Sequence, residues 1–243
     1  MKENLIEIFS SIQGEGKYVG CRQVFVRFEG CNLDCRYCDT ENTPGSHVQC
    51  EVETYAGSRE FAKLPNPRSV GQTAMEINRL CKEVPHQAVS FTGGEPLLHA
   101  GYIREVAKEI EVPVFLETNG TLHEQLAEII DSVDIISMDI KLPSVVNEPQ
   151  WEAHKRFIEV AKAKDLYIKL VVGEETTEEE FRKAIDLVAE TAPETLFIIQ
   201  PVTPYGGCKA ASPEKILICQ NYALSKLKDV RVIPQTHKMI AQL

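Results

Sequence analysis

The sequence has little positive charge, a single tryptophan and no long apolar run. Its 243 residues include 26 lysines and arginines against 36 acidic residues, a net charge of −10. This deficit argues against nucleic acid as a partner, because such partners need a basic surface. The most basic stretch, residues 154–169, is interpreted as a solvated helix face and the start of a strand. With no membrane-spanning run and no signal-peptide pattern, we expect a cytoplasmic protein without a membrane partner.

What the sequence does contain is eight cysteines, in a chain that is 43% hydrophobic and 26% charged. In the cytoplasm, cysteines are reduced thiols or metal ligands rather than disulfides. The length and composition suit a globular enzyme with a sizeable core. We therefore predict one domain over residues 1–243.

From residue 84 onward, apolar runs alternate with helical segments. The runs AVSF, VDIIS, YIKLVV and LFIIQ are near-continuous, which predicts parallel strands buried on both faces. The predicted strands are residues 23–28, 88–92, 114–117, 135–139, 166–172, 196–200 and 230–233. The alternation predicts an α/β fold, and about six units predict an incomplete parallel β/α barrel, since a full one usually takes about 250 residues.

Helix starts carry recognisable capping patterns. Thr73, Thr121 and Thr177 each begin a T-x-x-E capping box, and Ser212 precedes a proline suited to the first helical position. Residues 41–69 are rich in proline and glycine and have little periodicity. We predict an irregular insertion there.

The stretch EGCNLDCRYCDT places Cys31, Cys35 and Cys38 directly after a predicted strand, at the end where barrel enzymes carry their chemistry. Thiolates hold iron–sulfur clusters, usually four per cluster, so three would leave one iron open to a ligand. A zinc site completed by His47 or Cys50, and a chance group of buried thiols, remain alternatives on spacing alone. The five other cysteines are interpreted as buried apolar side chains.

The C-x3-C-x2-C spacing resembles the cluster motif of the radical S-adenosylmethionine enzymes. TGGEP, residues 92–96, resembles the motif with which that superfamily contacts the methionine amino group. Paired glycines let a backbone approach a ligand closely. The resemblance implies a 4Fe–4S cluster whose open iron chelates S-adenosylmethionine, and reductive cleavage to a 5′-deoxyadenosyl radical.

Both ends of the chain resemble one family within that superfamily. The segment FSSIQGEGKYVGCRQVFVRFEGCNLDCRYCDT and the tail VIPQTHKMIAQL are similar to the 7-carboxy-7-deazaguanine synthases, often called QueE. The resemblance implies a lyase that contracts the ring of 6-carboxy-5,6,7,8-tetrahydropterin to 7-carboxy-7-deazaguanine and releases ammonia, in the biosynthesis of queuosine and other 7-deazapurines. It also implies a homodimer and an electron donor such as flavodoxin or ferredoxin.

Site residues follow from this resemblance position by position. Cys31, Cys35 and Cys38 match the cluster ligands, and Thr40 matches a Mg²⁺ ligand, which suits the preference of Mg²⁺ for oxygen. The positions implied for S-adenosylmethionine are Tyr37, Cys38, Asp39, Gly94, Glu117, Ser137, Met138, Asp139 and Gln200. Those implied for the pterin are Ile12, Gln13, Gly14, Glu15, Arg27, Thr92, His237 and Leu243, the last two in a substrate-contacting tail over residues 234–243. An amide and a carboxylate suit the pterin edge, and a guanidinium suits its carboxylate.

Other functions stay open on the sequence. SMDIKLP, residues 137–143, is also similar to the activating enzymes of glycyl-radical proteins, which act on a partner protein. Lys141 in this motif either reaches a carboxylate or lies unpaired at the surface. A radical enzyme for another pterin or purine, and a non-catalytic metal-binding or electron-carrying module, are the remaining alternatives.

Overall fold

The structure is a computed structural model that describes residues 1–38, 40 and 45–242. Its strands are β1 (Lys2–Glu3), β2 (Leu5–Ile12), β3 (Arg22–Phe28), β4 (Gln49–Glu53), β5 (Phe61–Pro65), β6 (Arg68–Ser69), β7 (Ala88–Gly93), β8 (Val114–Thr118), β9 (Ile135–Ile140), β10 (Asp165–Val172), β11 (Leu196–Pro201) and β12 (Val230–Val232). Its helices are α1 (Val70–Glu83), α2 (Ala100–Ala107), α3 (His123–Ile129), α4 (Pro143–Val146), α5 (Trp151–Ala161), α6 (Glu178–Thr191), α7 (Pro213–Leu224) and α8 (Thr236–Met239).

The main sheet has ten strands in the order β12-β11-β10-β9-β8-β7-β3-β2-β4-β5. Neighbours from β3 through β12 are parallel, and helices connect each strand of this run to the next. β2 pairs antiparallel with β3. The prediction of an α/β fold with an incomplete parallel β/α barrel is confirmed, and so are all seven predicted strands.

The segment predicted to be an irregular insertion contains a β-hairpin instead. β4 and β5 pair antiparallel, and β4 joins the main sheet through β2. The prediction is therefore wrong for residues 49–65. The local signal is weak because these strands are short, and long-range pairing with β2 stabilises them.

The core lies between the sheet and the outer helices. Strands contribute fully buried residues such as Phe91 and Ile168, and α6 contributes Phe181, Ile185 and Val188 at the spacing of one helix face. Burying each such side chain contributes roughly 1.5–3 kcal/mol. The helices that the structure describes include none with the length and apolar character that crossing a membrane requires.

Two of the predicted helix starts are confirmed. Thr177 Oγ1 accepts from the Glu180 amide at 3.2 Å, and the Glu180 carboxylate accepts from the Thr177 amide at 2.6 Å. The hydroxyl of Ser212 accepts from the Lys215 amide at 3.2 Å and caps α7. Both caps satisfy amides that a helix start leaves unpaired.

The other two predicted starts are wrong. Helix α1 begins earlier, at Val70, with Ser69 as its cap. The hydroxyl of Thr73 pairs with that of Tyr102 at 2.7 Å inside the protein, so it is not available for capping. Thr121 does not cap α3 either, because its hydroxyl is used beside the cysteine loop.

Candidate active site

The three cysteines lie on the loop that follows β3, and the TGGEP motif holds the start of this loop. Gly93 has a φ of +117°, and a Cβ there would lie 2.3 Å from the carbonyl oxygen of Phe28. The Glu95 amide donates to the carbonyl oxygen of Gly30 at 2.8 Å. Only glycine permits this conformation and this close approach, so the motif positions the loop through its backbone.

Asn119, just beyond β8, holds the same loop from the other side. Its Nδ2 donates to Asn32 Oδ1 at 2.9 Å and lies 3.9 Å from Cys31 Sγ. Asn32 Nδ2 donates to Thr121 Oγ1 at 2.9 Å, and the buried Glu95 carboxyl accepts from the Asn119 amide at 2.8 Å. The sequence did not single out Asn119, whose role depends on contacts between distant segments.

Cys31, Cys35 and Cys38 line one cavity at the carboxyl ends of the parallel strands. Burial is the largest influence on the Cys35 thiol and raises its pKa to about 11, while Lys141 acts to lower it and the other two cysteines add to the rise. No three His, Cys, Asp or Glu side chains of the described residues converge on one ion position. Thiolates on separate irons of a cluster do not need such convergence.

The two residues proposed to complete a zinc site lie elsewhere. Cys50 is fully buried in the hydrophobic core. His47 Nδ1 is 2.9 Å from the Glu29 carboxylate. Burial acts to raise the pKa of Glu29, but donors from His47 and its neighbours lower it to about 2, so a carboxylate faces the imidazole. Neither His47 nor Cys50 is among the described residues that line the cysteine cavity.

Beside the thiols, polar side chains from β9 and β11 face the same cavity. Lys141 Nζ lies 3.1 Å from Asp139 Oδ2 and 3.3 Å from the Tyr37 hydroxyl. Lys141 is thus paired inside the cavity, and the surface alternative is wrong. Asp139 Oδ1 and Gln200 Oε1 are buried without a hydrogen-bond partner among the described residues. Such acceptors are open to a ligand with N–H groups.

Most positions implied for S-adenosylmethionine are brought to this cavity. The lining includes Tyr37, Cys38, Gly94, Glu117, Ser137, Asp139 and Gln200, together with the implied Mg²⁺ ligand Thr40. Met138 is the exception: its side chain is fully buried in the core on the opposite face of β9. Successive side chains of a strand point to opposite faces of the sheet, and the neighbours of Met138, Ser137 and Asp139, face the cavity. Asp39 lies outside the described residues.

A second cavity adjoins the first and contains the positions implied for the pterin. Its lining includes Ile12, Gln13, Gly14, Glu15, Arg27, Thr92 and His237. The residues shared by both linings are Glu15, Arg27, Thr40, Thr92, Glu117, Gln235 and Lys238. Because they share these residues, the two cavities are continuous. Leu243 lies outside the described residues.

Glu117 lies where the two cavities meet. Its Oε1 accepts from Gln13 Nε2 at 2.6 Å, and its Oε2 accepts from Thr92 Oγ1 at 2.9 Å. Gln13 Nε2 also donates to Gln23 Oε1 at 3.0 Å. The amide of Gln13 and the carboxylate of Glu117 are therefore held in fixed orientations before any ligand binds.

The C-terminal tail closes over the turn that follows β2. A Cβ on Gly14 would lie 2.2 Å from His237 Nδ1, so only glycine allows the two segments to meet. The Thr236 amide donates to the Gly14 carbonyl oxygen at 2.8 Å. At the tip of the β4–β5 hairpin, Arg59 Nη1 donates to the Ala241 carbonyl oxygen at 3.0 Å. The hairpin thus contacts the far end of the tail.

Two further charged residues in these cavities, Glu7 and Lys169, were not singled out from the sequence. Glu7 pairs with Arg27 Nε at 2.6 Å. Lys169 pairs with Glu15, whose other oxygen accepts from Gln235 Nε2 at 2.7 Å. The interpretation of residues 154–169 as a solvated face is wrong for Lys169, which is 4% exposed. Its position inside the apolar run YIKLVV was the available signal.

Comparison with known proteins agrees with this geometry. The family model of the radical SAM superfamily matches residues 25–188. A 7-carboxy-7-deazaguanine synthase from Geobacter sulfurreducens is 43% identical, over 98% of this chain and 97% of that protein. One from Methanocaldococcus jannaschii is 37% identical, over 98% and 99%.

The chain belongs to the radical SAM superfamily and, within it, to the 7-carboxy-7-deazaguanine synthase family. The resemblance stated from the sequence is confirmed. Among solved structures, QueE from Escherichia coli is similar with a TM-score of 0.62 and 18% identity, covering 97% of this chain and 94% of that one. At that identity the likeness shows a shared fold.

Family membership implies a 4Fe–4S cluster and S-adenosylmethionine, and the residues present fit both. Three thiols share one cavity with the open acceptors of Asp139 and Gln200. Burial of the thiols disfavours their charged form unless a cation compensates, which a cluster iron provides. Cys31, Cys35 and Cys38 would hold the cluster, and the two acceptors suit the ammonium group of S-adenosylmethionine.

Proposed function

We propose that this chain converts 6-carboxy-5,6,7,8-tetrahydropterin to 7-carboxy-7-deazaguanine with release of ammonia, in the cytoplasm and on the path to 7-deazapurines. The observation that carries the proposal is the continuity of the two cavities. Thiols line one, amide, carboxylate and guanidinium groups line the other, and Thr92 and Glu117 belong to both. The names of the relatives support the same reaction.

The residues of the second cavity offer what a carboxylated pterin requires. Gln13 and Glu15 present hydrogen-bonding groups of fixed orientation to an amino-pyrimidinone edge, which has both donors and acceptors. Among the described residues, Arg27 is engaged by Glu7 through Nε alone, so its other nitrogens are available for the substrate carboxylate. His237 closes the cavity from the tail. Together these groups hold the ring beside the cysteine cavity.

The cofactors supply the radical chemistry when they are bound, namely a 5′-deoxyadenosyl radical that abstracts hydrogen from the substrate. This chain orients the reactants and excludes water. Thr40 borders both cavities, where its hydroxyl suits Mg²⁺ shared with substrate oxygens. A homodimer and an electron donor such as flavodoxin or ferredoxin belong to the proposal through the family.

An anaerobic turnover assay tests the proposal. The protein with a reconstituted cluster receives dithionite, Mg²⁺, S-adenosylmethionine and the carboxylated tetrahydropterin. We expect a product with the mass of 7-carboxy-7-deazaguanine. Formation of 5′-deoxyadenosine without that product, at the same rate with and without pterin, would contradict the substrate assignment and point to the activase alternative or another small substrate.

A further inference from the structure

Lys169 is a lysine in the interior of the barrel. It lies on β10 between Ile168 and Leu170, which are fully buried, and it is itself 4% exposed. In the parallel register it stands opposite Asp139 on β9. A buried ammonium is costly unless paired, so its partners define its role.

Those partners come from segments far apart in the chain. Lys169 Nζ lies 2.5 Å from Glu15 Oε2 and 3.9 Å from Asp139 Oδ2. Glu15 follows β2. Its second oxygen accepts a hydrogen bond at 2.7 Å from Nε2 of Gln235, the residue that precedes α8. The Glu15 carboxylate is therefore held from both sides, with one donor on each oxygen.

This arrangement leaves acceptor capacity on Glu15. A carboxylate has about four lone-pair sites, and side chains of the described residues use one on each oxygen of Glu15. Both Glu15 and Lys169 line the cavity. The remaining sites match the paired N–H donors of an amino-pyrimidinone, provided that the carboxyl group stays ionised.

The surrounding charges keep it ionised. Burial acts to raise the pKa of Glu15, but Lys169, Gln235 and His237 lower it to about 2. Burial likewise acts to lower the pKa of Lys169, but neighbouring carboxylates raise it well above its usual value. The titratable and charged groups around the pair are Asp139, Glu117, Tyr167, His237, Arg27 and Lys238.

We propose that Lys169 is a positioning residue that holds the Glu15 carboxylate as the acceptor for the N–H edge of the bound heterocycle. This inference rests on the proposed function and assigns Lys169 a task in substrate binding. Lys169 acts through Glu15 and not directly on the reacting atoms. Its removal should therefore weaken pterin binding and spare S-adenosylmethionine binding.

Lys169→Met tests this, because methionine keeps much of the length and lacks the charge. Binding of the carboxylated tetrahydropterin and, separately, of S-adenosylmethionine is measured anaerobically on cluster-loaded, unreduced protein. At pH 7 we expect pterin affinity to fall by about 10–100-fold and S-adenosylmethionine affinity to change by less than about threefold. Pterin affinity of the variant, relative to the wild type, should rise with pH, because burial alone raises the pKa of Glu15.

Two matched variants complete the test. Lys169→Arg keeps the charge and should retain pterin binding whose pH dependence matches the wild type. Glu15→Gln with Lys169→Met leaves no unpaired buried charge, so it folds even where the single variant does not. Compared with Glu15→Gln alone, it should bind the pterin with affinity changed by less than about threefold.

The outcomes separate this inference from the proposed function. Wild-type protein that does not bind the pterin overturns both. If the wild type binds the pterin and Lys169→Met binds it equally well, the role of Lys169 is overturned but the proposed function is not. Equal loss of pterin and S-adenosylmethionine, or a large further loss in the double variant, shows that Lys169 does not act through Glu15.

Discussion

The two halves of the cavity are built differently. In the cysteine half, the thiols lie on a loop, and Asp139 Oδ1 and Gln200 Oε1 have no hydrogen-bond partner among the described residues. In the half formed by β3, the turn after β2 and the tail, Gln13, Glu15 and Arg27 are already bound to other side chains. The cysteine half therefore has unpaired acceptor atoms that a cofactor can satisfy. In the other half, the side chains are held by hydrogen bonds before a ligand binds.

This difference has a physical reason. A cofactor that stays bound can supply the missing partners of its site permanently. A substrate that enters and leaves at each turnover binds best to side chains that are already fixed, because binding then costs little further conformational entropy. The two halves should therefore respond separately to mutation, and four substitutions test this, beginning with the most damaging.

Cys35→Ala should have the largest effect. We expect no brown chromophore after reconstitution and no 5′-deoxyadenosine, because two thiolates do not hold the cluster. Pterin binding to the preorganised half should persist within about threefold. Cys81→Ala, on the outer helix α1, is the matched control and should reconstitute normally. An intact cluster in Cys35→Ala would refute the ligand assignment, and loss of pterin binding would break the separation of the halves.

Arg27→Ala should damage the other half. Loss of a charged hydrogen bond to the substrate carboxylate should weaken pterin binding by about 10–100-fold. Cleavage of S-adenosylmethionine without substrate should fall much less. Pterin binding is measured by a binding assay, and cleavage of S-adenosylmethionine by the formation of 5′-deoxyadenosine. Arg104→Ala, at a residue whose side chain pairs with Glu105, is the control. Equal loss of the two activities would contradict a substrate role.

The parallel sheet could be predicted from the sequence because each strand carries its own apolar run. The hairpin over residues 49–65 could not, since its strands are short and half-exposed and depend on pairing with β2. Two predicted capping boxes do not form, because the hydroxyls of Thr73 and Thr121 make hydrogen bonds to Tyr102 and Asn32, which are distant in the chain. In each miss, a contact between distant segments outweighed the local pattern.

The site was predictable to the extent that family motifs mark it. The positions implied by the motifs include the three cysteines and many other residues that line the two cavities, whereas Lys169, Asn119 and Glu7 are not among them. Lys169 could have been found by physical reasoning alone, since a lysine in a strand buried on both faces requires a partner. Asn119 and Glu7 have no such signal, because only the fold brings them to the loop and to Arg27.

Arg59→Ala should have a smaller effect, again confined to the substrate half. Its exposed hydrogen bond to the Ala241 carbonyl oxygen contributes about 0.5–1.5 kcal/mol, so pterin affinity should fall by about 2–10-fold. Affinity for S-adenosylmethionine should not change. Lys63→Ala is the matched control, because Lys63 lies on the same hairpin and pairs with Glu51 rather than the tail. Unchanged pterin affinity in Arg59→Ala would show that the tail closes without the hairpin.

His154→Gln should have the smallest effect at neutral pH. In acid, it should change the stability of the protein without changing pterin binding in the other half. His154 is fully buried, with Nε2 3.2 Å from the carbonyl oxygen of Asn119, the residue that holds the cysteine loop. Burial is the largest influence on its pKa and lowers it from 6.5 to about 4. Between these values the unfolded chain binds a proton that the folded chain does not, so stability falls as pH drops from 6.5 towards 4.

Urea unfolding measures this contribution. Going from pH 7 to pH 5, wild-type protein should lose about 2 kcal/mol of unfolding free energy through His154, and His154→Gln should lose correspondingly less. His123→Gln, at the start of α3, is the matched control and should follow the wild type. In the other half, Glu15 has a pKa of about 2 and stays ionised over this range, so pterin binding should not share the His154-linked change. An equal acid loss in wild type and His154→Gln would mean that protonation of His154 does not cause the loss of stability.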